Sequence, residues 1–206
     1  MDKLNRIASL SLVMMLLFSP MFVAQAQNTK AARKFQRELN KEFRNPEESP
    51  LTIEDFKKFK KHAFFPIDAK YRVVAQFTRA EDPATFKMKT STKRQPLYEK
   101  YGTASFEIDG VAYELTLYKS LSSYDSDEYQ DYLFLPYNDL TNGEETYGGG
   151  RYIDLTIPEG DTIIIDFNQS YHPLCAYSYR YSCPVPPREN RLDVRIEAGV
   201  KNLELD

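Results

Sequence analysis

The sequence is poor in the residues that build metal and nucleotide sites. Its 206 residues include no tryptophan, two cysteines, two histidines and eight glycines. Two cysteines and two histidines cannot build a pair of zinc ribbons, and the chain contains no Walker loop and no GxGxxG, HExxH or GxSxG motif. A formal net charge of −3 does not suit a phosphate backbone, which is held by a clustered basic face. We therefore predict no nucleic-acid partner and no cofactor.

The N-terminus has the pattern of a secretory signal peptide. Two basic residues precede an apolar run over residues 7–23, and Ala24-Gln25-Ala26 has the small-x-small form of a cleavage site. A permanent transmembrane helix is the alternative, but Pro20 interrupts a run that is already short for a membrane span. We predict cleavage of residues 1–26, export to the periplasm or the outside of the cell, and no stable membrane insertion after cleavage.

The rest of the chain, residues 27–206, is predicted to form a single domain. Hydrophobic residues make up 42% of the sequence and charged residues 28%, as in an ordinary globular protein. A helical arm over 30–62 should precede a sheet domain over 66–199. The first helix carries an apolar residue every four positions until Asn45-Pro46 stops the pattern. The second begins at the capping residue Thr52 and should turn three apolar side chains inward. These are Ile53, Phe56 and Phe59.

Beyond residue 66 the hydrophobic period changes to the alternation of half-buried strands. Turn signals separate eight candidate strands. They cover residues 71–78, 86–89, 104–108, 111–115, 132–135, 151–157, 162–167 and 192–198. Eight strands and only two helices predict a mainly β fold, an antiparallel β-sandwich or small barrel with two N-terminal helices.

Asp109-Gly110 is the best hairpin signal in the sequence. It suits a two-residue type I′ turn, which needs a positive φ at both positions. This turn fixes which residues of the flanking strands are opposite one another. The predicted pairs, all on one apolar face, are Ile108 with Val111, Phe106 with Tyr113, and Ala104 with Leu115.

Two aspartates are candidates for chemistry. If the strands on either side of residues 158–161 pair as a hairpin, Asp154 and Asp166 share one face of the sheet with Tyr152 and Asn168. Like charges on neighbouring strands are unfavourable unless a cation or a proton relieves them. Two carboxylates could act as the acid and base of a hydrolase or bind Ca²⁺ through their oxygens. The alternatives are a solvated sheet face or pairing with arginines.

Residues 170–190 are rich in proline and predict a long loop that must be tied down. Cys175 and Cys183 lie within it, and a disulfide is the default for the only two cysteines of an exported protein. Two alternatives remain open. A metal site with His172 has too few ligands and an unusual spacing, and a cysteine nucleophile with His172 as its base is the poorest fit of the three.

Two sequence blocks carry a resemblance to a known family. The first, ETYGGGRY, covers residues 145–152, and the second, CPVPPRENRL, covers residues 183–192. Through these blocks the chain resembles the bacterial domain-of-unknown-function family 1684 over the region from Glu38 to Gly199. The resemblance implies a single β-rich domain. It supplies no activity, so no catalytic residue is carried over from the family.

Two classes of function are compatible with these residues. The first is a non-catalytic exported binding module that holds a small polar ligand or glycan on the face formed by residues 145–151 and 166–191. The second is a hydrolase that uses Asp154, Asp166 or Glu189 as acid and base, alone or with a metal ion. The candidate ligand-binding residues are Arg151, Asp154, Asp166, Asn168, Tyr171, Tyr177, Glu189, Asn190 and Arg191. We favour binding, because the sequence shows no recognised nucleophile, complete metal set or catalytic triad.

Overall fold

The structure is a computed structural model that describes residues 20–121 and 130–203, with side chains from residue 29 onward. Within these residues two helices precede seven strands. The helices are α1 (Pro20–Arg44) and α2 (Ile53–Lys58). The strands are β1 (Arg72–Arg79), β2 (Thr85–Lys87), β3 (Leu97–Ile108), β4 (Val111–Ser120), β5 (Tyr132–Tyr137), β6 (Arg151–Thr156) and β7 (Thr162–Asp166).

The two helices largely follow the sequence pattern. α1 ends at Arg44, directly before the predicted stop. Thr52 caps α2 by accepting a hydrogen bond from an amide of its first turn at 3.1 Å. Phe59 is buried against Phe43, but Ile53 is 78% exposed, so its predicted inward position is wrong. A helix of six residues has too few turns to bury a full apolar stripe.

Residues 1–19 of the predicted signal peptide lie outside the described residues. Its last residues, 20–26, form the first part of α1. Among the helices that the structure describes, none is both long and apolar enough to cross a membrane. Cleavage and export stay predictions.

The strands form one antiparallel sheet that curls into a half-barrel. Its strand order is β6-β5-β4-β3-β1-β7, and the short strand β2 pairs with β3. The predicted mainly β class with two N-terminal helices is confirmed. The prediction left open a β-sandwich or a small barrel, and the curled sheet resembles the barrel.

The hairpin between β3 and β4 has the predicted turn and register. The φ angle is 52° at Asp109 and 78° at Gly110, as a type I′ turn requires. Ile108 is opposite Val111, and the two other predicted pairs follow in step. Val111 is nevertheless 53% exposed, so the apolar face predicted for all six residues stops short of the turn.

The hairpin predicted across residues 158–161 is wrong, because β6 and β7 do not pair with each other. β6 pairs with β5, where Ile153 is opposite Leu135. β7 pairs with β1, where Ile165 is opposite Val73. These apolar residues do face the core as their alternation predicts. Alternation determines the face that a residue occupies but not the strand that lies beside it.

Residues 192–198, predicted as a strand, form an irregular segment with a bend at residues 193–194 and no regular ladder. Leu192 and Ile196 are buried in the core. The Leu192 N–H donates to the Asn138 carbonyl at 2.8 Å, and the Ile196 N–H donates to the Asp139 carboxylate at 2.9 Å. The Asp139 side chain thus accepts a hydrogen bond that a neighbouring strand would accept in a regular sheet. The segment therefore covers the core without adding a strand to the sheet.

The two faces of the sheet are covered differently. On one, the core face, Leu135 and Ile153 pack with the segment 192–198. The other, the cavity face, carries Phe134 and Tyr152 among its buried residues. α1 and the segment 171–184 lie over this second face and leave a space between themselves and the sheet.

Candidate functional site

A cavity of about 400 Å³ lies on the cavity face, between α1 and the sheet. This volume is within the range of small-molecule pockets. Side chains from α1, from β3, β5 and β6, and from the segment 171–184 form its walls. The lining residues are Phe35, Leu39, Glu42, Phe43, Tyr98, Tyr132, Phe134, Tyr152, Asp154, Tyr171, His172, Pro173, Leu174, Ser182, Cys183 and Pro184.

The register of the sheet places an aspartate among aromatic rings in this cavity. On β6, Asp154 is opposite Phe134 of β5, and both belong to the cavity face by alternation. Beside them, Tyr152 and Tyr171 exchange two backbone hydrogen bonds of 2.9 and 3.1 Å. The Tyr152 hydroxyl also donates to the carbonyl of Pro184. These bonds attach the segment 171–184 to the edge of the sheet.

Asp154 is held by two tyrosines and has one oxygen left over. Its Oδ1 accepts from the Tyr132 hydroxyl at 2.5 Å and from the Tyr171 hydroxyl at 2.7 Å. Its Oδ2 has no hydrogen-bond partner among the described residues, and Asp154 is exposed to solvent where it lines the cavity. The surrounding protein partly desolvates the carboxylate and so raises the pKa of Asp154, and the two tyrosine hydrogen bonds partly offset that rise.

The cavity is acidic. A second carboxylate, Glu42 of α1, lines it, and burial together with nearby Glu48 raises the pKa of Glu42. Neither Glu42 nor Asp154 forms an ion pair within the described part of the chain. No lysine or arginine is among the lining residues. The negative charge therefore lacks a protein counter-ion in these walls.

Aromatic rings form most of the remaining wall. The rings of Phe134 and Tyr152 are 4.7 Å apart at 77°, and those of Tyr152 and Tyr171 are 5.8 Å apart at 90°. The ring centre of Phe35, on α1, lies 6.2 Å from the ring centre of Tyr171. The edge-to-face packing of the first two pairs is favourable for aromatic rings and turns ring faces in more than one direction.

His172 contributes a neutral imidazole to the wall. Its Nε2 accepts from the Tyr147 N–H at 3.1 Å, so in the neutral ring the proton is on Nδ1. Burial lowers the pKa of His172 to about 3, which keeps the ring uncharged at neutral pH. No group of three or more potential metal ligands comes together in the described residues, so the set of His172, Cys175 and Cys183 is not completed into a metal site.

Cys175 and Cys183 are free thiols, so the predicted disulfide is not formed. The Cys175 N–H donates to the Cys183 sulfur at 3.1 Å, and hydrogen bonding with Cys183 lowers the pKa of Cys175 to about 6. The loop is tied down in another way. The Ser91 N–H donates to the Cys183 carbonyl at 2.8 Å, and the Val185 N–H donates to the Lys89 carbonyl at 2.8 Å.

Arg151, predicted to bind a ligand, instead lies buried on the core face with 0% exposure. Its guanidinium pairs with Asp139 at 2.9 Å and donates to the carbonyls of Ile196 and Ala198. The Asp139 carboxylate also accepts from Thr141 and from the Ile196 N–H. This network fastens the segment 192–198 to the sheet, and Arg151 has no access to a ligand.

Asp166 and Asn168 also have structural partners. Asp166 accepts from the Asn168 N–H at 3.1 Å and from the Asn168 amide group at 2.9 Å. The Asn168 side chain in turn donates to the Asp68 carbonyl at 2.8 Å and accepts from the Asp68 N–H at 3.0 Å. Since Asp166 lies at the end of β7 and does not line the cavity, the carboxylate pair with Asp154 predicted for a hydrolase does not form.

Glu189 and Asn190 lie outside the cavity as well. Glu189 pairs with Lys100 at 2.7 Å and accepts from the Tyr118 hydroxyl at 3.1 Å. Asn190 is buried. Its side chain accepts from the Thr116 N–H and donates to the carbonyls of Thr116 and Pro136, each at 2.8 Å. It bridges β4 and β5 where proline provides no donor.

Two further predicted site residues have different positions. Arg191 is exposed. Tyr177 is buried between Phe43 of α1 and His62, with its hydroxyl 3.2 Å from the His62 Nε2. Of the nine candidate ligand-binding residues, only Asp154 and Tyr171 line the cavity.

Sequence reasoning missed the part of the site that comes from α1 and β5. Glu42 belongs to α1, about a hundred residues before the predicted face in the sequence. Its position in the cavity depends on how α1 packs against the sheet. Tyr132 and Phe134 did carry a signal, because they alternate with Leu133 and Leu135 of the core. That alternation indicates an aromatic face on the other side of β5.

The fold and the cavity together define an antiparallel half-barrel with an acidic aromatic pocket on one face. The chain belongs to the family described as "Protein of unknown function (DUF1684)", whose model matches residues 57–201. This confirms the resemblance based on the two sequence blocks. The chain is also similar to an uncharacterized protein from gene locus rrnAC0354 of Haloarcula marismortui, solved by solution NMR. The two are 33% identical with a TM-score of 0.68, over 87% of this chain and 96% of that one. No curated protein matches the chain significantly.

Proposed function

We propose that the protein is a non-catalytic binding module that holds a small polar ligand or glycan in the cavity. One observation carries this proposal: the Asp154 carboxylate lies in an aromatic cavity with one oxygen that no described residue satisfies. Asp154 is exposed to solvent, so this oxygen can accept a hydrogen bond from a partner. A ligand that enters the cavity supplies one.

The proposed site lies beside the face predicted from the sequence rather than on it. Residues 171–174 and 182–184 belong to the predicted face and line the cavity, whereas none of residues 145–151 does. The segment 171–184 thus contributes one wall, and α1 and the sheet contribute the others.

Ligand screening tests this proposal. Thermal-shift and NMR measurements on the purified protein would use monosaccharides, disaccharides, amino acids and organic amines. We expect at least one class to stabilise the wild type and the Glu189→Ala variant, whose altered carboxylate lies outside the cavity, but not the Asp154→Ala variant. If no compound binds, or if binding is the same in Asp154→Ala, the cavity is not the ligand site.

We also propose that the chain is exported to the periplasm or the outside of the cell after cleavage behind Ala26. The charged start, apolar run and small-x-small site support this proposal. Mass spectrometry of the protein from its native host is expected to show a chain that begins at Gln27. A chain that still carries Met14 and Met15 contradicts export.

A further inference from the structure

We infer that the ligand of the cavity is a small organic cation, specifically an ammonium group that carries methyl substituents. This inference rests on the proposed function and narrows its ligand class. It depends on three features of the cavity: its uncompensated charge, its aromatic walls, and the shortage of free hydrogen-bond donors.

The charge of the cavity favours a cation. Asp154 and Glu42 both line it, and the walls include no basic side chain. The two tyrosine hydroxyls that donate to Asp154 stabilise its ionised form. Both carboxylates are exposed to solvent at the cavity, so their charge is accessible to a ligand. A cationic ligand supplies the missing charge next to the unpartnered Oδ2.

The walls suit a diffuse positive charge. The face of an aromatic ring attracts a cation through the ring quadrupole, and quaternary ammonium groups are bound in cages of such rings. Phe134, Tyr152 and Tyr171 are packed at nearly right angles, and Phe35 adds a ring from α1. A methylated ammonium can contact several of these surfaces at once.

The hydrogen-bonding groups of the cavity do not favour a neutral sugar. The hydroxyls of Tyr132 and Tyr171 already donate to Asp154, and that of Tyr152 donates to the Pro184 carbonyl. The two other lining hydroxyls are also engaged, that of Ser182 with Thr90 and that of Tyr98 with Ser120. His172 keeps one N–H, on Nδ1, without a partner in the described residues. A sugar presents many hydroxyls that need donors and acceptors, whereas a methylated ammonium needs few hydrogen bonds.

A matched pair of probes tests the role of charge. Choline and 3,3-dimethylbutan-1-ol have nearly the same shape, but only choline is charged. Isothermal titration calorimetry should show that choline binds the wild type at least about tenfold more tightly than the neutral alcohol. Asp154→Asn should remove this preference, and Glu189→Gln should leave it unchanged. Thermal melting of each variant verifies that it is folded.

A second variant tests the aromatic wall separately. Phe35→Leu keeps an apolar side chain on α1 but removes the ring, so we expect weaker choline binding and unchanged binding of the neutral alcohol. Equal binding of the two probes overturns the cation inference. So does Asp154-dependent binding of sugars without binding of choline, and in that case the proposed binding function stands. If neither choline nor any compound of the wider panel binds, both proposals fail.

Discussion

Arg151 and Asp154 lie on the same short strand, β6, and on opposite faces of the sheet. Arg151 is enclosed on the core face and bonded to a carboxylate and two carbonyls. Asp154 faces the cavity, where two tyrosine hydroxyls donate to one of its oxygens and no cation pairs with it among the described residues. Two charged residues only three positions apart on one strand therefore have very different surroundings.

The difference separates a structural charge from one available to a ligand. A buried ion pair that is hydrogen-bonded within the protein joins parts of the chain. Arg151 joins β6 to the segment 192–198 in this way through its terminal nitrogens, although its Nε has no partner among the described residues. A charge with an open oxygen in a cavity adds little to folding and can contact a ligand. Perturbed ionisable groups of this second kind are candidates for function.

Among the single substitutions, the largest expected effect is at Arg151. Arg151→Met should lower the free energy of unfolding by about 3–5 kcal/mol, because it leaves the Asp139 carboxylate buried without its partner. Urea denaturation measures the change. Arg191→Met, at an exposed site, is the control and should change stability by less than about 0.5 kcal/mol. Similar losses in both variants contradict the structural role of Arg151.

Asn190 should have the next largest effect. Asn190→Ala removes three hydrogen bonds to the backbone of β4 and β5, and we expect a loss of about 1–3 kcal/mol. Hydrogen exchange should quicken at the Thr116 amide in particular. Asn202→Ala, at an exposed asparagine, provides the comparison. If protection at Thr116 is unchanged, Asn190 does not bridge the strands.

Acid should weaken the fold through its two histidines. Burial lowers the pKa of His62 to about 4 and of His172 to about 3, so both stay neutral in the folded state while the unfolded chain protonates near pH 6.5. Stability is then fully present above about pH 6.5 and falls with pH below it, until the folded values are reached. The loss is about 1.4 kcal/mol per pH unit for each histidine.

Urea denaturation at several pH values tests this dependence. Asp154, whose pKa is raised, has the opposite sign, because acid relieves its unfavourable charge. Comparison with His172→Gln isolates one histidine, since glutamine does not titrate. The stability of this variant should depend less steeply on pH between 6.5 and 4 than that of the wild type. Equal slopes would show that His172 is not held neutral.

The smallest effect is expected at Asp154. Asp154→Asn should change the free energy of unfolding by less than about 1 kcal/mol, with a gain rather than a loss. Asparagine can still accept from the two tyrosine hydroxyls, and an unpaired charge is removed. Thermal and urea unfolding beside Arg151→Met measure the contrast within β6. A loss as large as that of Arg151→Met would make Asp154 a structural residue.

Local patterns in the sequence predicted the local structure well. The type I′ turn at Asp109-Gly110, the register of β3 with β4 and the end of α1 all follow from a few adjacent residues. Turn geometry and side-chain alternation act over such short distances. For the same reason the sequence correctly placed Ile153 and Ile165 on the core face, although it paired their strands wrongly.

The site depended on contacts between distant parts of the chain. Alternation placed Asp154 on the face away from the core, and the sequence identified it as a candidate. It could not show that the partner strand is β5 rather than β7, or that Glu42 of α1 would enclose the same space. Nor could it show that Arg151 would be buried. The sequence alone thus determined turns, faces and family, while the closure of the curled sheet decided which charges are paired and which remain open. Pairing between strands and the packing of a helix over them depend on long-range burial, which no short window of residues contains.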